Sequence, residues 1–217
     1  MREYLSVPFS EHQTAKHRGA AWDQSLKSWY IPDGVDPTPF VRWRKAHCSG
    51  ELLARLPPVL ANFLQVCVPA LGQHHRKGAE ALHLLKGVLP ALPFVKELDE
   101  DIRVAGDLDG HYGGSEHGVE VPVRIDGRIS CVFCNSHSVS SGPFRAQHPW
   151  SGIFDLTMQE IADPLGTPSI MGEADELLFQ RLGRTLLRRW DHPGWLIHLT
   201  FLKSSGALLR ATVQRDD

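Results

Sequence analysis

The chain is most constrained between residues 4 and 43, where strand, cap, breaker and turn signals follow one another without a gap. Residues 4–7 put Leu5 and Val7 on one face and predict a short strand. Ser10 and Gln13 have capping-box spacing, in which each side chain reaches an orphan backbone N–H. The helix opened there is expected to run from about Glu11 to Arg18, with Gly19 as the left-handed residue that ends it. Residues 21–22 and 28–31 read as two short strands joined by a turn at 23–27. Asp36 before Pro37 is an N-cap followed by proline at the first helical position, so a second short helix should carry Phe40 and Trp43.

Within this stretch Val7, Pro8, Glu11, Ala15, Lys16, Gly19, Ala20, Trp22, Asp23, Lys27, Trp29, Tyr30, Pro39, Phe40 and Trp43 follow one pattern. It resembles a small domain of unknown function found in plasmid- and conjugation-associated proteins, TraC-type primases among them. The chain departs from that pattern at His17 and Arg18, where Ala and Leu are usual. The resemblance covers about a fifth of the chain and leaves residues 50–217 unrecognised. It implies the company of DNA-processing and plasmid-transfer proteins, and no settled activity.

With 217 residues the chain has room for a small module and a domain of ordinary size. The basic, polar joint 44–50 is the expected boundary, giving units 1–45 and 50–217. A hydrophobic share of 42% and a charged share of 22% suit a globular protein. No apolar run approaches the roughly 18 residues of a membrane span, and the start lacks a signal-peptide core, so the expectation is a cytoplasmic protein without a membrane partner. Four cysteines in a chain this long do not suggest a disulfide scaffold. The net charge of −2 is unevenly spread: residues 1–50 carry a small positive excess and the remainder is acidic. A nucleic-acid footprint would therefore lie on the N-terminal module.

The longer part predicts an α+β fold, helices first and then antiparallel hairpins. Helices are expected at 51–56, after Pro57 and Pro58, and from about His75 to Leu85. A short strand is expected at 102–105, and a loop rich in Gly, Asp and His at 106–118. Residues 119–125 and 128–133 flank Asp126-Gly127, the pair that suits a two-residue type I′ turn. That turn would set Val121 opposite Val132, with the strand passing Cys131 and ending near Cys134. Residues 135–152 read as a loop. Thr157 with Glu160 is a second capping box, opening a helix that should end before Pro164. Residues 175–190 read as a long amphipathic helix with Leu178, Leu182 and Leu186 in register, and residues 195–202 and 207–213 as a last hairpin.

Three sets of residues carry candidate chemistry. Lys16, Arg18, Lys27, Tyr30, Arg42 and Arg44 are candidates for nucleic-acid binding, because bases stack on exposed rings while Lys and Arg hold phosphates. Against this, a module of this size has few other residues for a core, so Trp22 and Trp29 are expected to be buried. Cys131, Cys134, His137 and His148 have the composition of a zinc set. If a strand runs through both cysteines, their odd separation sends the sulfurs to opposite faces; this favours structural cysteines and no cofactor. Asp107, Asp109, His111, Glu116 and His117 could hold a divalent ion or act as acid and base, or simply line a solvated loop. No phosphate-binding Gly-x-x-x-x-Gly-Lys, no Gly-x-Ser-x-Gly and no His-Glu-x-x-His is present, which counts against an NTPase, a serine hydrolase and a zincin. Two readings remain. The favoured one, implied by the resemblance, is a non-enzymatic accessory protein of a plasmid or other mobile element. It would bind DNA or a DNA-processing partner and modulate or inhibit conjugative transfer. The alternative is a metal-dependent, nuclease-like hydrolase using the loops at 107–117 and 131–148.

Overall fold

The computed structural model describes residues 2–5, 7, 9–44, 46, 48–76, 94–98, 107–114, 118–138, 142–143, 150–174 and 183–216. The chain is α+β, with a small three-stranded sheet followed by an eight-stranded antiparallel sheet backed by helices.

The small sheet is built from β1 (Glu3–Leu5), β2 (Ala21–Asp23) and β3 (Ser28–Ile31), in the order β1-β3-β2. Register places Leu5 and Trp22 each opposite Trp29, so these three share a face. Against it packs α1 (His12–His17), entered through a 3₁₀ turn at Phe9–Glu11. The expected Ser10–Gln13 capping box is not what starts this helix. Its N-cap is Glu11, which makes no side-chain cap bond and instead accepts from Trp43 Nε1–H. Gly19 ends the helix as expected, at φ +98°. Asp36 accepts from Thr38 N–H at 2.9 Å and opens the 3₁₀ helix Thr38–Trp43. That helix drives Phe40 and Trp43 into a core completed by Leu5, Ala15, Ala20 and Ile31.

In the larger part, α2 (Gly50–Arg55) is capped by Ser49, which accepts from Leu52 N–H at 3.1 Å. α3 (Pro58–Cys67) begins at the prolines as the sequence predicts, because proline's missing N–H is harmless in a first turn. The helix expected from His75 lies outside the described residues beyond Arg76; His75 and Arg76 themselves form a turn. The strand expected at 102–105 also lies outside them. The sheet then collects β4 (Phe94–Lys96), β5 (Leu108–Gly114), β6 (Val119–Arg124) and β7 (Cys131–Asn135). A two-stranded ribbon, β8 (His137–Ser138) and β9 (Gly142–Pro143), and a 3₁₀ helix, Ser151–Asp155, follow within the stretch read as a loop. After α4 (Met158–Leu165) come β10 (Ile170–Ala174), β11 (Thr185–His192), β12 (Trp195–Leu202) and β13 (Leu208–Arg215). Strand order is β10-β11-β12-β13-β7-β6-β5-β4, so two meanders are joined edge to edge where β13 pairs with β7. The core lies between this sheet and the helices. It packs Leu60, Phe63, Leu64 and Cys67 of α3 against Val121, Val132, Ile197, Phe201, Ala211 and Val213.

Four expectations for this part are corrected. Residues 185–190, read as the end of a long helix, are strand β11, paired along its whole length with β12 and on its other edge with β10. Residues 175–182 of that expected helix lie outside the described ones. The glycine-rich stretch read as a loop is largely β5. A Cβ on Gly110 would stand 2.3 Å from the Val95 carbonyl oxygen, so glycine there permits close strand approach. The β6–β7 turn holds three residues, Ile125, Asp126 and Gly127, closed by Arg124 N–H to Arg128 O at 2.8 Å. Gly127 sits at φ +80°, the left-handed position of a bulged hairpin. Val123 therefore bridges Ile129, and a one-residue bulge restores the expected register at Glu120↔Phe133. Finally, the Thr157–Glu160 capping box is present, but α4 continues through Pro164. Proline this close to the end removes a single helical bond, and Gly166 N–H closes the last turn on Ala162 O at 2.8 Å.

Candidate nucleic-acid interface

The module's side chains divide into those that hold it together and those that do not. Asp23 belongs to the first group. Its Oδ1 accepts from Ser25 Oγ–H at 2.5 Å, Ser25 N–H at 2.9 Å and Leu26 N–H at 3.1 Å, an Asx-type turn that shapes the β2–β3 connection. Its Oδ2 accepts from Tyr4 O–H at 2.8 Å and faces Arg2 at 3.3 Å. The Ser25 and Tyr4 hydroxyls and the turn N–H groups hold this carboxyl well below the usual carboxylate range.

Of the predicted binding residues, three have structural duties. Arg18 donates to Pro39 O at 2.8 Å and lies over the Trp43 ring at 5.4 Å. Arg44 pairs with Glu3 at 2.7 Å. Tyr30 is half-buried, 5.9 Å from the Tyr4 ring and under the Arg2 guanidinium. The Arg42 side chain is outside the described ones. Lys16 and Lys27 differ: both are exposed and neither side chain forms a hydrogen bond or ion pair among the described residues. Lys27 also occupies a left-handed backbone position at φ +49°, where glycine or asparagine would sit with less strain.

The same domain carries a chain of rings. Phe9 meets His12 at 5.1 Å, His12 meets Trp22 at 6.0 Å and Trp29 at 5.5 Å, and Trp22 meets Trp29 edge-on at 5.5 Å. The expectation that both tryptophans are buried is corrected. Trp29 is half-buried beneath the cluster, while Trp22 is 41% exposed and Phe9 88% exposed. The core closes on Leu5, Phe40 and Trp43 and does not need the outer rings. Sequence alone gave no signal for Phe9, which the binding set omitted. Lys16 follows His12 by one helical turn on α1, and Lys27 lies in the β2–β3 turn two residues before Trp29, so both cations belong to the elements that carry the rings.

The other two sets are not gathered. β7 runs through both cysteines, with Cys134 in the main core and Cys131 on the opposite face beside Ser130. His137 lies in β8, and His148 is outside the described residues. Asp107 is paired with Arg124 at 2.6 Å, Asp109 and His111 sit along β5, and Glu116 and His117 are outside the described residues. Among the described residues no three His, Cys, Asp or Glu side chains converge as metal ligands. Burial pushes the thiols of Cys48 and Cys131 up to about 12 and that of Cys134 higher. With no converging ligand set among the described residues, native protein at pH 8 is expected to carry no stoichiometric zinc, and the buried Cys67, Cys131 and Cys134 to react with a thiol reagent only as fast as the protein unfolds. Raising the pH past the ordinary thiol value of 9.0 ionises the unfolded chain first, so stability should fall from there upward. Rapid labelling of the folded protein at Cys131 would contradict this.

No helix among the described residues is long and apolar enough to cross a membrane. Residues 2–45 match the family model of a domain of unknown function, DUF5710. Two curated relatives from Escherichia coli, each a DNA primase TraC, are 44% and 48% identical over 54 residues. That stretch is 25% of this chain but only 5% and 4% of the relatives, so most of their length has no counterpart here. No solved structure matches the chain. Residues 2–45 are thus a DUF5710 domain, similar to a short segment of the TraC primase and joined to an eight-stranded sheet outside the family match.

Proposed function

We propose that this chain is an accessory protein of a plasmid or similar mobile element, whose DUF5710 domain engages DNA or the machinery that processes it. The similarity to a segment of a DNA primase supports the context. The observation that carries the reading is the pair of exposed lysines with unpaired side chains, Lys16 and Lys27, on the same small domain as a partly exposed ring surface. Neither lysine is used by the fold, and phosphate is the partner their charge suits. The eight-stranded sheet then serves as a body for the domain, and modulation of conjugative transfer is the role this arrangement fits. The hydrolase alternative has no converging set of three metal ligands among the described residues to build on.

The test is DNA binding by the intact protein at low salt. Reversing charge at Lys16 and Lys27 should weaken binding and flatten its salt dependence, by a slope of about 0.7–0.9 per lysine. Lys27→Gly separates fold from function. It relieves a left-handed residue worth about 1 kcal/mol, so stability should hold or rise while affinity falls. Absence of any DNA binding removes the DNA arm and leaves a protein partner as the reading.

A further inference from the structure

Resting on the DNA reading above, we infer that the ring surface of Phe9, His12 and Trp22 is a site for single-stranded DNA, with bases stacked on the rings and phosphates on Lys16 and Lys27. The geometry distinguishes this from duplex binding. Reading a duplex calls for an element that enters a groove. The helix that carries Lys16, α1, has six residues, and its Ala15 is packed into the core. A duplex would meet the lysines through its backbone alone and leave Phe9 and Trp22 against water or sugar. Unpaired bases gain from these rings, because every base has a face to stack.

The rings are placed for that use. Phe9 is almost wholly exposed, although burying a phenylalanine is among the stronger drives a small core has. Trp22 Nε1–H is satisfied by Gln24 Oε1 at 3.0 Å, which holds the indole with a large part of its surface in solvent. His12 bridges the two at 5.1 and 6.0 Å, so the rings form one surface, not scattered residues.

Binding of a labelled oligothymidylate of about 20 nucleotides and of a duplex of equal length should be compared by anisotropy, using the full chain. Single strand should bind at least about tenfold more tightly than duplex, and Phe9→Ala and Trp22→Ala should each cost about tenfold on single strand. Both ring variants should leave the salt slope unchanged, since they remove no charge, whereas charge reversal at the lysines should flatten it. Trp22→Phe keeps a ring and should keep most of the affinity, which separates stacking from a loss of fold. Duplex binding as tight as single-strand binding, or ring variants without effect, overturns this inference and leaves the DNA reading in place. Binding to neither overturns both.

Discussion

Replacing Trp43 by alanine is expected to unfold residues 2–45 and to leave the eight-stranded sheet folded. Trp43 is 1% exposed, packs on Phe40 at 6.1 Å, lies under Arg18 and donates its indole N–H to Glu11. Truncating a buried tryptophan costs about 3–5 kcal/mol, comparable to the whole stability a unit of this size can hold. The domain's core is a cluster separate from the main one, so the loss should stay local. Hydrogen exchange resolved by peptide would show this as lost protection in residues 2–45 alone. Uniform loss across the chain would mean that the two parts fold as one unit, with the half-buried joint residues Arg44, Ala46 and Cys48 as the coupling.

Trp150→Ala should have the opposite distribution. Trp150 is fully buried, meets Phe63 of α3 edge-on at 5.2 Å and donates to Asn62 Oδ1 at 3.1 Å, tying the 3₁₀ segment to the helix layer. The expected cost is again about 3–5 kcal/mol, a fall in melting temperature on the order of 10 °C for a domain of this size. DNA affinity at a temperature where the variant is still folded should not change. A variant that melts normally would show that the helix layer does not depend on this contact. A folded variant that loses DNA binding would move the binding surface toward the sheet.

The N-terminal unit was largely legible because its signals are local. Gly19 and Asp36 act within a few residues: Gly19 ends α1 as read, and Asp36 caps the short helix, which opens at Thr38, one residue after the proline expected to start it. The larger sheet was less legible because its decisive interactions are distant. Leu178, Leu182 and Leu186 have helical spacing, yet residues 185–192 are held as a strand by pairing on both edges, which outweighs local periodicity. One local signal was available there: Pro193-Gly194 forms the two-residue connection that sets His192 opposite Trp195, with Gly194 at φ +79°. The glycines of β5 misled in the same way, since glycine marks loops and also close backbone approach. At the candidate site, charge and ring content were visible in the sequence. Exposure was not, because which rings close a small core depends on how α1 crosses the sheet. That placement spends Arg18, Arg44 and Tyr30 on the fold and frees Lys16, Lys27, Trp22 and Phe9.

The most direct test of the central claim is a hydrogen-exchange footprint of the intact protein with and without saturating single-stranded DNA. Added protection is expected in α1 and across β2 and β3, from about residue 9 to residue 30, and none in β4 to β13. Protection confined to the eight-stranded sheet, or no change anywhere with DNA bound, would contradict it.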